Sequence, residues 1–224
     1  MGRDIAIATA HGTIDGWRAD PPHGAPRGGI VVIQEIFGVN THMRSVVERY
    51  AAEGYVALAP ALYDPVERNV ELDYGEDGFA RGRELASALG FDRAVQLVAA
   101  AALPLQAEGH KVAAIGFCWG GSVAFLANTR LGLPAVSYYG ARTVPLLEEE
   151  QPLAPLLLHF GGDDASIPAA DIEAHRKHLP EAEIHVYEDA GHGFNRDVDP
   201  RHYHAPSAAL AHRRTLAFLE KALS

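Results

Sequence analysis

The one cysteine of the chain, Cys118, lies between two glycines in the motif GFCWG (Gly116–Gly120). An apolar run, KVAAI, precedes the motif, and a segment with helical spacing follows it, so the pattern predicts a tight strand-to-helix turn. Glycines on both sides remove the Cβ atoms that would clash in such a turn. The dipole of the following helix favours a thiolate, which is the nucleophilic form of cysteine. The motif therefore indicates a nucleophile raised above the edge of a sheet.

A nucleophile at such a turn needs a histidine and an acid, and both follow in the order expected for this kind of site. Asp163 and Asp164 come after the strand-like run LLLHF, and His192 comes after the strand-like run IHVY. His192 differs from most of the twelve histidines because glycines flank it on a loop. Each candidate lies just past the carboxyl end of its predicted strand, where ligands bind in open parallel sheets. The residues alone leave either aspartate as the acid.

Strand-like and helix-like segments alternate along the chain. The predicted strands are DIAIAT, TIDGWRA, GIVVIQ, YVALAP, KVAAIG, LPAVSYYG, APLLLHFGG and AEIHVYED, the first two forming a hairpin. The predicted helices are THMRSVVERYAAEG, the stretch from Glu76 to Ala102, Ser122 to Thr129, AADIEAHRKHL and APSAALAHRRTLAFLEKAL. This order predicts an α/β fold with a mostly parallel, doubly wound sheet. A length of 224 residues predicts a single domain over residues 1–224.

Composition restricts the partners and the compartment. The net charge of −10 argues against nucleic acid or an anionic membrane surface as the partner. A lone cysteine forms no internal disulfide, so we expect a reducing, cytoplasmic setting. The opening residues MGRDIAIATAHGT lack the features of a signal peptide, and we find no apolar run long enough to span a bilayer.

Four motifs in order carry a resemblance over essentially the whole length. They are QEIFGVN (Gln34–Asn40), GFCWGG (Gly116–Gly121), GGDDASIP (Gly161–Pro168) and GHGFNR (Gly191–Arg196). With these motifs the chain resembles the dienelactone hydrolase family of α/β-hydrolases. The resemblance implies hydrolysis of a small carboxylic ester or lactone through a thioester acyl-enzyme. It implies no metal and no organic cofactor.

The resemblance also assigns a catalytic triad. Cys118 corresponds to the nucleophile and His192 to the general base that later acts as an acid. The family pattern D-x-x-[VI]-P selects Asp164, rather than Asp163, as the residue that orients the histidine.

Further residues take roles from the same resemblance. The backbone N–H groups of Ile36 and Trp119 correspond to the oxyanion hole. Glu35 matches a glutamate that lies beside the resting thiol and moves when substrate arrives. Arg196 matches an arginine that receives a substrate carboxylate.

Two departures from the family pattern leave the substrate open. The dienelactone enzymes carry a second substrate-binding arginine in the region that corresponds to Asp64–Gly90. Arg81 is the candidate here, with Arg83 as the alternative, and one helix face does not present both equally. Ala61 also stands where the family usually has aspartate.

Several other functions use the same residues. An amidase or peptidase would employ the same triad, and a redox sensor would employ Cys118 without needing the histidine and the acid. A non-catalytic binding protein would not need all three triad residues. A zinc site at His202 and His204 has neither a second cysteine nor a recognised ligand spacing to support it. The sequence indicates no oligomeric state.

Overall fold

The computed structural model of the protein describes residues 2–224. Its strands are β1 (Arg3–Thr9), β2 (Gly12–Ala19), β3 (Gly29–Ile33), β4 (Val56–Pro60), β5 (Val112–Phe117), β6 (Ala135–Tyr138), β7 (Leu156–Gly161) and β8 (Glu183–Tyr187). Its α-helices are α1 (Thr41–Ala52), α2 (Glu76–Leu89), α3 (Phe91–Ala107), α4 (Trp119–Leu131), α5 (Ala169–His178) and α6 (Ala205–Ala222). A short 3₁₀ helix covers Val144–Leu146.

The strand order in the sheet is β1-β2-β4-β3-β5-β6-β7-β8. β1 and β2 form the predicted antiparallel hairpin, with Ile7 opposite Ile14, and β2 runs antiparallel to β4. The pairs β3–β4, β6–β7 and β7–β8 are parallel. The expected α/β fold with a mostly parallel sheet is confirmed.

The chain divides into two compact units. One runs to Ala114 and includes Leu223, and the other runs from Ile115 to Ala222 and includes Ser224. The single domain expected over residues 1–224 stays a prediction.

In the first unit, every residue of β3 and β4 is buried. α1 packs against β4, and α3 packs against β3. Burial on both faces explains why GIVVI and VALAP are continuous apolar runs without a polar alternation.

In the second unit, β6 and β7 are buried along their whole length. α4 is buried from Gly120 to Thr129 and packs against β6, while α6 packs against β7. The three candidate triad residues follow the ends of β5, β7 and β8.

The helical stretch predicted from Glu76 to Ala102 is helical but contains a sharp break. α2 ends at Leu89, Gly90 adopts φ +74°, and α3 starts at an angle of 83° to α2. A left-handed φ suits glycine and ends a helix, because a Cβ atom would be strained there. Over residues 2–224 no single helix has the length and apolar composition to cross a membrane; the bent pair α2–α3 passes that test by length and composition only.

Candidate active site

The strand-to-helix turn that carries Cys118 has the geometry its sequence predicts. β5 ends at Phe117, α4 begins at Trp119, and Cys118 between them has φ +56° and ψ −122°. This conformation costs a non-glycine residue about 1–3 kcal/mol, and such strain concentrates at functional sites. A Cβ atom on Gly116 would lie 1.8 Å from the carbonyl oxygen of Gly120, so only glycine fits at position 116.

Backbone hydrogen bonds hold this turn. The N–H of Cys118 donates to the carbonyl of Tyr138 over 3.0 Å, and the carbonyl of Cys118 accepts the N–H of Gly121 over 2.9 Å. A Cβ atom on Gly121 would lie 2.7 Å from the same Tyr138 carbonyl. The turn is therefore fixed against the end of β6, and the thiol lies at the start of α4.

The structure brings Cys118, His192 and Asp164 together. His192 Nε2 lies 3.1 Å from Cys118 Sγ, and His192 Nδ1–H donates to Asp164 Oδ2 over 2.7 Å. Asp164 is 3% exposed, and its other oxygen accepts the N–H of Ser166 over 2.8 Å. Asp163 is exposed. The contact with His192 is thus made by the aspartate that the family pattern selects.

Two neighbouring negative charges raise the pKa of His192. Burial disfavours the imidazolium, but a Cys118 thiolate and the Asp164 carboxylate outweigh burial and raise the pKa of His192 to about 10. When Cys118 is ionised, a protonated His192 lies between its thiolate and the Asp164 carboxylate. A thiolate beside an imidazolium is able to supply both a nucleophile and a proton donor.

Glu35 and Ile36 follow β3 in the first unit. Glu35 is 1% exposed, and an ionised carboxylate at such a depth is costly unless it is paired. The carbonyl of Ile36 accepts the hydroxyl of Tyr63 over 3.1 Å, and a Cβ atom on Gly82 would lie 2.3 Å from it. The backbone of Ile36 is therefore held in place, and the oxyanion role of its N–H stays a prediction.

The candidate arginines have very different surroundings. Arg81 is exposed on α2 and forms ion pairs with Glu67 and Glu84. Arg196 is 5% exposed, and its guanidinium donates to Asp199 over 3.3 Å. Arg83 is exposed, with its guanidinium 5.8 Å from the centre of the Phe79 ring. Contact of any of these arginines with substrate stays a prediction.

Sequence reasoning missed Tyr139. This residue follows β6 and has φ +42°, and the centres of its ring and of the His192 ring lie 5.2 Å apart. Its N–H donates to the carbonyl of His159 over 2.8 Å. Its position past the carboxyl end of a parallel strand was the available signal.

Within residues 2–224, the structure shows no group of three or more histidine, cysteine, aspartate or glutamate side chains that could hold a metal ion. The site that it does assemble consists of the thiol, the imidazole and the carboxylate.

A mostly parallel sheet flanked by helices, with a strained cysteine at the strand-to-helix turn after β5, is typical of an α/β-hydrolase. Residues 14–223 match the model of the dienelactone hydrolase family. The chain therefore belongs to the dienelactone hydrolase family.

Individual relatives agree with this assignment. The chain is 34% identical to a carboxymethylenebutenolidase of Pseudomonas putida over 227 residues, which cover 96% of this chain and 94% of that protein. The solved structure of a Klebsiella pneumoniae protein assigned to the dienelactone hydrolases superposes with a TM-score of 0.85 at 30% identity, covering 98% of both chains. An esterase of Pyrococcus furiosus has the same fold, with a TM-score of 0.69 at 17% identity, covering all of this chain and 92% of that one.

Proposed function

We propose that this protein hydrolyses small carboxylic esters or lactones through a thioester on Cys118. The observation that carries the proposal is the continuous chain from Cys118 Sγ to His192 Nε2, 3.1 Å, and from His192 Nδ1 to Asp164, 2.7 Å. Family membership over residues 14–223 supports the reaction class independently of this geometry.

In the first half of the reaction, the Cys118 thiolate attacks the carbonyl carbon, and the carbonyl electron pair moves to oxygen. The N–H of Trp119 at the start of α4 stabilises that oxyanion, together with the N–H that the family resemblance assigns to Ile36. When the oxyanion collapses, the C–O bond of the ester breaks, and His192 gives its Nε2 proton to the leaving alkoxide. The product is a thioester and a free alcohol, or the ring-opened hydroxyl in a lactone.

In the second half, His192 is neutral and takes a proton from a water molecule. The resulting hydroxide attacks the thioester carbon, and the tetrahedral intermediate expels the Cys118 thiolate. Asp164 keeps the imidazole in the tautomer that presents Nε2 to the reacting groups, and it stabilises the imidazolium. The cycle consumes one water and restores the thiolate–imidazolium pair.

A hydrolysis panel tests this function. We expect turnover of phenyl acetate, 4-carboxyphenyl acetate and a simple lactone, each lost in Cys118→Ala. If Arg196 receives a substrate carboxylate, kcat/KM should be higher for 4-carboxyphenyl acetate than for phenyl acetate by about tenfold or more, because hydrogen bonds to a charged group contribute about 1.5–3 kcal/mol. Hydrolysis of a peptide or amide panel with no ester turnover would contradict the proposed reaction.

Glu35 is the second group whose role we propose from the resemblance, as a restraint on the resting nucleophile. If Glu35 opposes thiolate formation, Glu35→Gln should speed the alkylation of Cys118 by iodoacetamide near pH 7 by about tenfold, the effect of removing roughly 1.4 kcal/mol of like-charge repulsion. The measurement is the alkylation rate against pH, followed by intact mass.

The exposed Glu76 provides the matched control, and Glu76→Gln should alkylate like the wild type. An alkylation profile of Glu35→Gln that coincides with the wild type would remove this role from Glu35. The triad would be unaffected by that outcome.

A further inference from the structure

The loop that carries His192 continues to the start of α6 and is organised around one buried carboxylate. Asp199 is 3% exposed. Its side chain accepts from Arg196 over 3.3 Å, from Arg201 Nε over 3.0 Å and from His202 Nδ1 over 2.8 Å. Three cationic or proton-donating side chains of the same loop thus converge on Asp199.

The backbone of Asp199 holds the loop as well. Its N–H donates to the carbonyl of Arg196 over 3.1 Å, and its carbonyl accepts the N–H groups of His202 and Tyr203 over 3.1 and 3.0 Å. Asp199 therefore closes the turn that precedes it and the turn that follows it.

Arg196 links this cluster to the residue beside the catalytic histidine. The N–H of Arg196 donates to the carbonyl of Gly193 over 2.9 Å. Gly193 has φ +79°, and a Cβ atom there would lie 3.1 Å from Cζ of Arg196. The guanidinium is therefore packed directly against the backbone of Gly193, next to His192, and Asp199 holds that guanidinium.

The charge of Asp199 is stable across the range of an assay. Burial alone would raise the pKa of Asp199, but the hydrogen bonds from Arg201 and His202 hold it well below the usual range for a carboxyl group. Replacing the carboxylate with an amide would take this counter-ion from the buried Arg196, and a buried charge that loses a partner is strongly destabilising locally.

We propose that Asp199 is a positioning residue of the active site: it fixes Arg196 against Gly193 and so keeps His192 aligned between Cys118 and Asp164. The kinetic part of this inference rests on the proposed ester hydrolysis. The geometric part, which concerns the alignment of His192, does not.

The test compares Asp199→Asn with Asp197→Asn, an exposed aspartate two residues earlier in the same loop. We expect Asp199→Asn to lower kcat about 10- to 100-fold, since small misplacements of catalytic groups cost this much. KM should stay within about threefold of the wild type, because the loss lies in the chemical steps. The loss should be present with phenyl acetate, which has no carboxylate for Arg196 to receive, and Asp197→Asn should resemble the wild type.

A titration of His192 by NMR, assigned from its missing signal in His192→Ala, reads the alignment without any substrate. Contacts with the Cys118 thiolate and with Asp164 raise the pKa of His192 to about 10, so loosening those contacts should lower it. A lower pKa of His192 in Asp199→Asn at a temperature where the variant is fully folded supports the positioning role.

Three results would overturn the proposal. In the first, Asp199→Asn lowers the melting temperature but leaves kcat and the His192 titration unchanged. That result would show that Asp199 has a purely structural role. Another is a rise in KM confined to 4-carboxyphenyl acetate. If the wild type hydrolyses no ester, the proposed function fails, and an unchanged His192 titration in Asp199→Asn then overturns this inference separately.

A second variant covers the case in which Asp199→Asn does not fold. Arg201→Ala with His202→Ala removes two of the three side-chain donors to Asp199, and both side chains are largely exposed, at 66% and 45%. This double variant should lower kcat and the His192 pKa in the same direction by smaller amounts. Wild-type values for both would contradict the proposal.

Discussion

Replacing Cys118 with alanine should lower kcat roughly 10⁵- to 10⁶-fold, and His192→Ala should have an effect of the same order. Alanine at position 118 removes the atom that attacks, and alanine at position 192 removes the group 3.1 Å away that holds and returns the proton. The double variant should be little slower than either single variant, because the two side chains act together in the same nucleophilic attack and proton transfer. The measurement is steady-state hydrolysis of phenyl acetate by the three variants.

The control for these variants is His23→Ala, which changes an exposed histidine and should leave kcat unchanged. Losses that multiply in the Cys118→Ala/His192→Ala double variant would show that the two residues act independently. Full activity in Cys118→Ala would refute the assignment of the nucleophile.

Asparagine at position 164 should lower kcat about 10⁴-fold, whereas asparagine at position 163 should change it little. Asp164 is buried and accepts the Nδ1 proton of His192 over 2.7 Å, so an amide in its place allows the wrong imidazole tautomer. Asp163 is exposed, and its backbone N–H donates to the carbonyl of Ala190 over 3.0 Å.

The adjacent positions make this a matched pair, since both variants replace a carboxylate with an amide in the same loop. Kinetics at several pH values measure the two effects. A large loss of kcat in Asp163→Asn with a small loss in Asp164→Asn would identify Asp163 as the residue that orients His192.

Much of the fold could be predicted because its strands are chemically distinctive. Fully buried parallel strands have to be apolar on both faces, and runs such as KVAAI and LLLHF meet that requirement. The turn at Cys118 was predictable for a related reason. Glycine at position 116 is sterically required by the turn, so its presence in the sequence predicts that geometry. The break at Gly90 was less visible, because α2 and α3 have similar helical patterns on either side of it.

The surroundings of Arg196 could not be predicted. The run RDVDPRH is rich in charge, and charged loop residues are usually solvated. In the structure, Arg196 and Asp199 are instead buried together, and Asp197 between them is exposed. Which charged side chains of this loop are buried depends on how they pack against the rest of the loop. The residue types alone do not determine that packing.

Tyr139 illustrates the same limit. An apolar run ending in YYG predicts a strand, but the left-handed φ of Tyr139 and its contact with the His192 ring arise only when separate strand ends meet. Long-range contacts of this kind determine the surroundings of the candidate triad, whereas the candidate triad residues themselves lie in local sequence motifs.

A thioester on Cys118 can be trapped and identified directly. The wild type is mixed rapidly with phenyl acetate or an activated acetate ester, quenched in acid, digested and analysed by mass spectrometry. We expect one acetyl group on the peptide that contains Cys118, removed by hydroxylamine and absent from Cys118→Ala. Acetylation of another residue during turnover, or ester hydrolysis that persists in Cys118→Ala without any acyl-enzyme, would contradict this prediction.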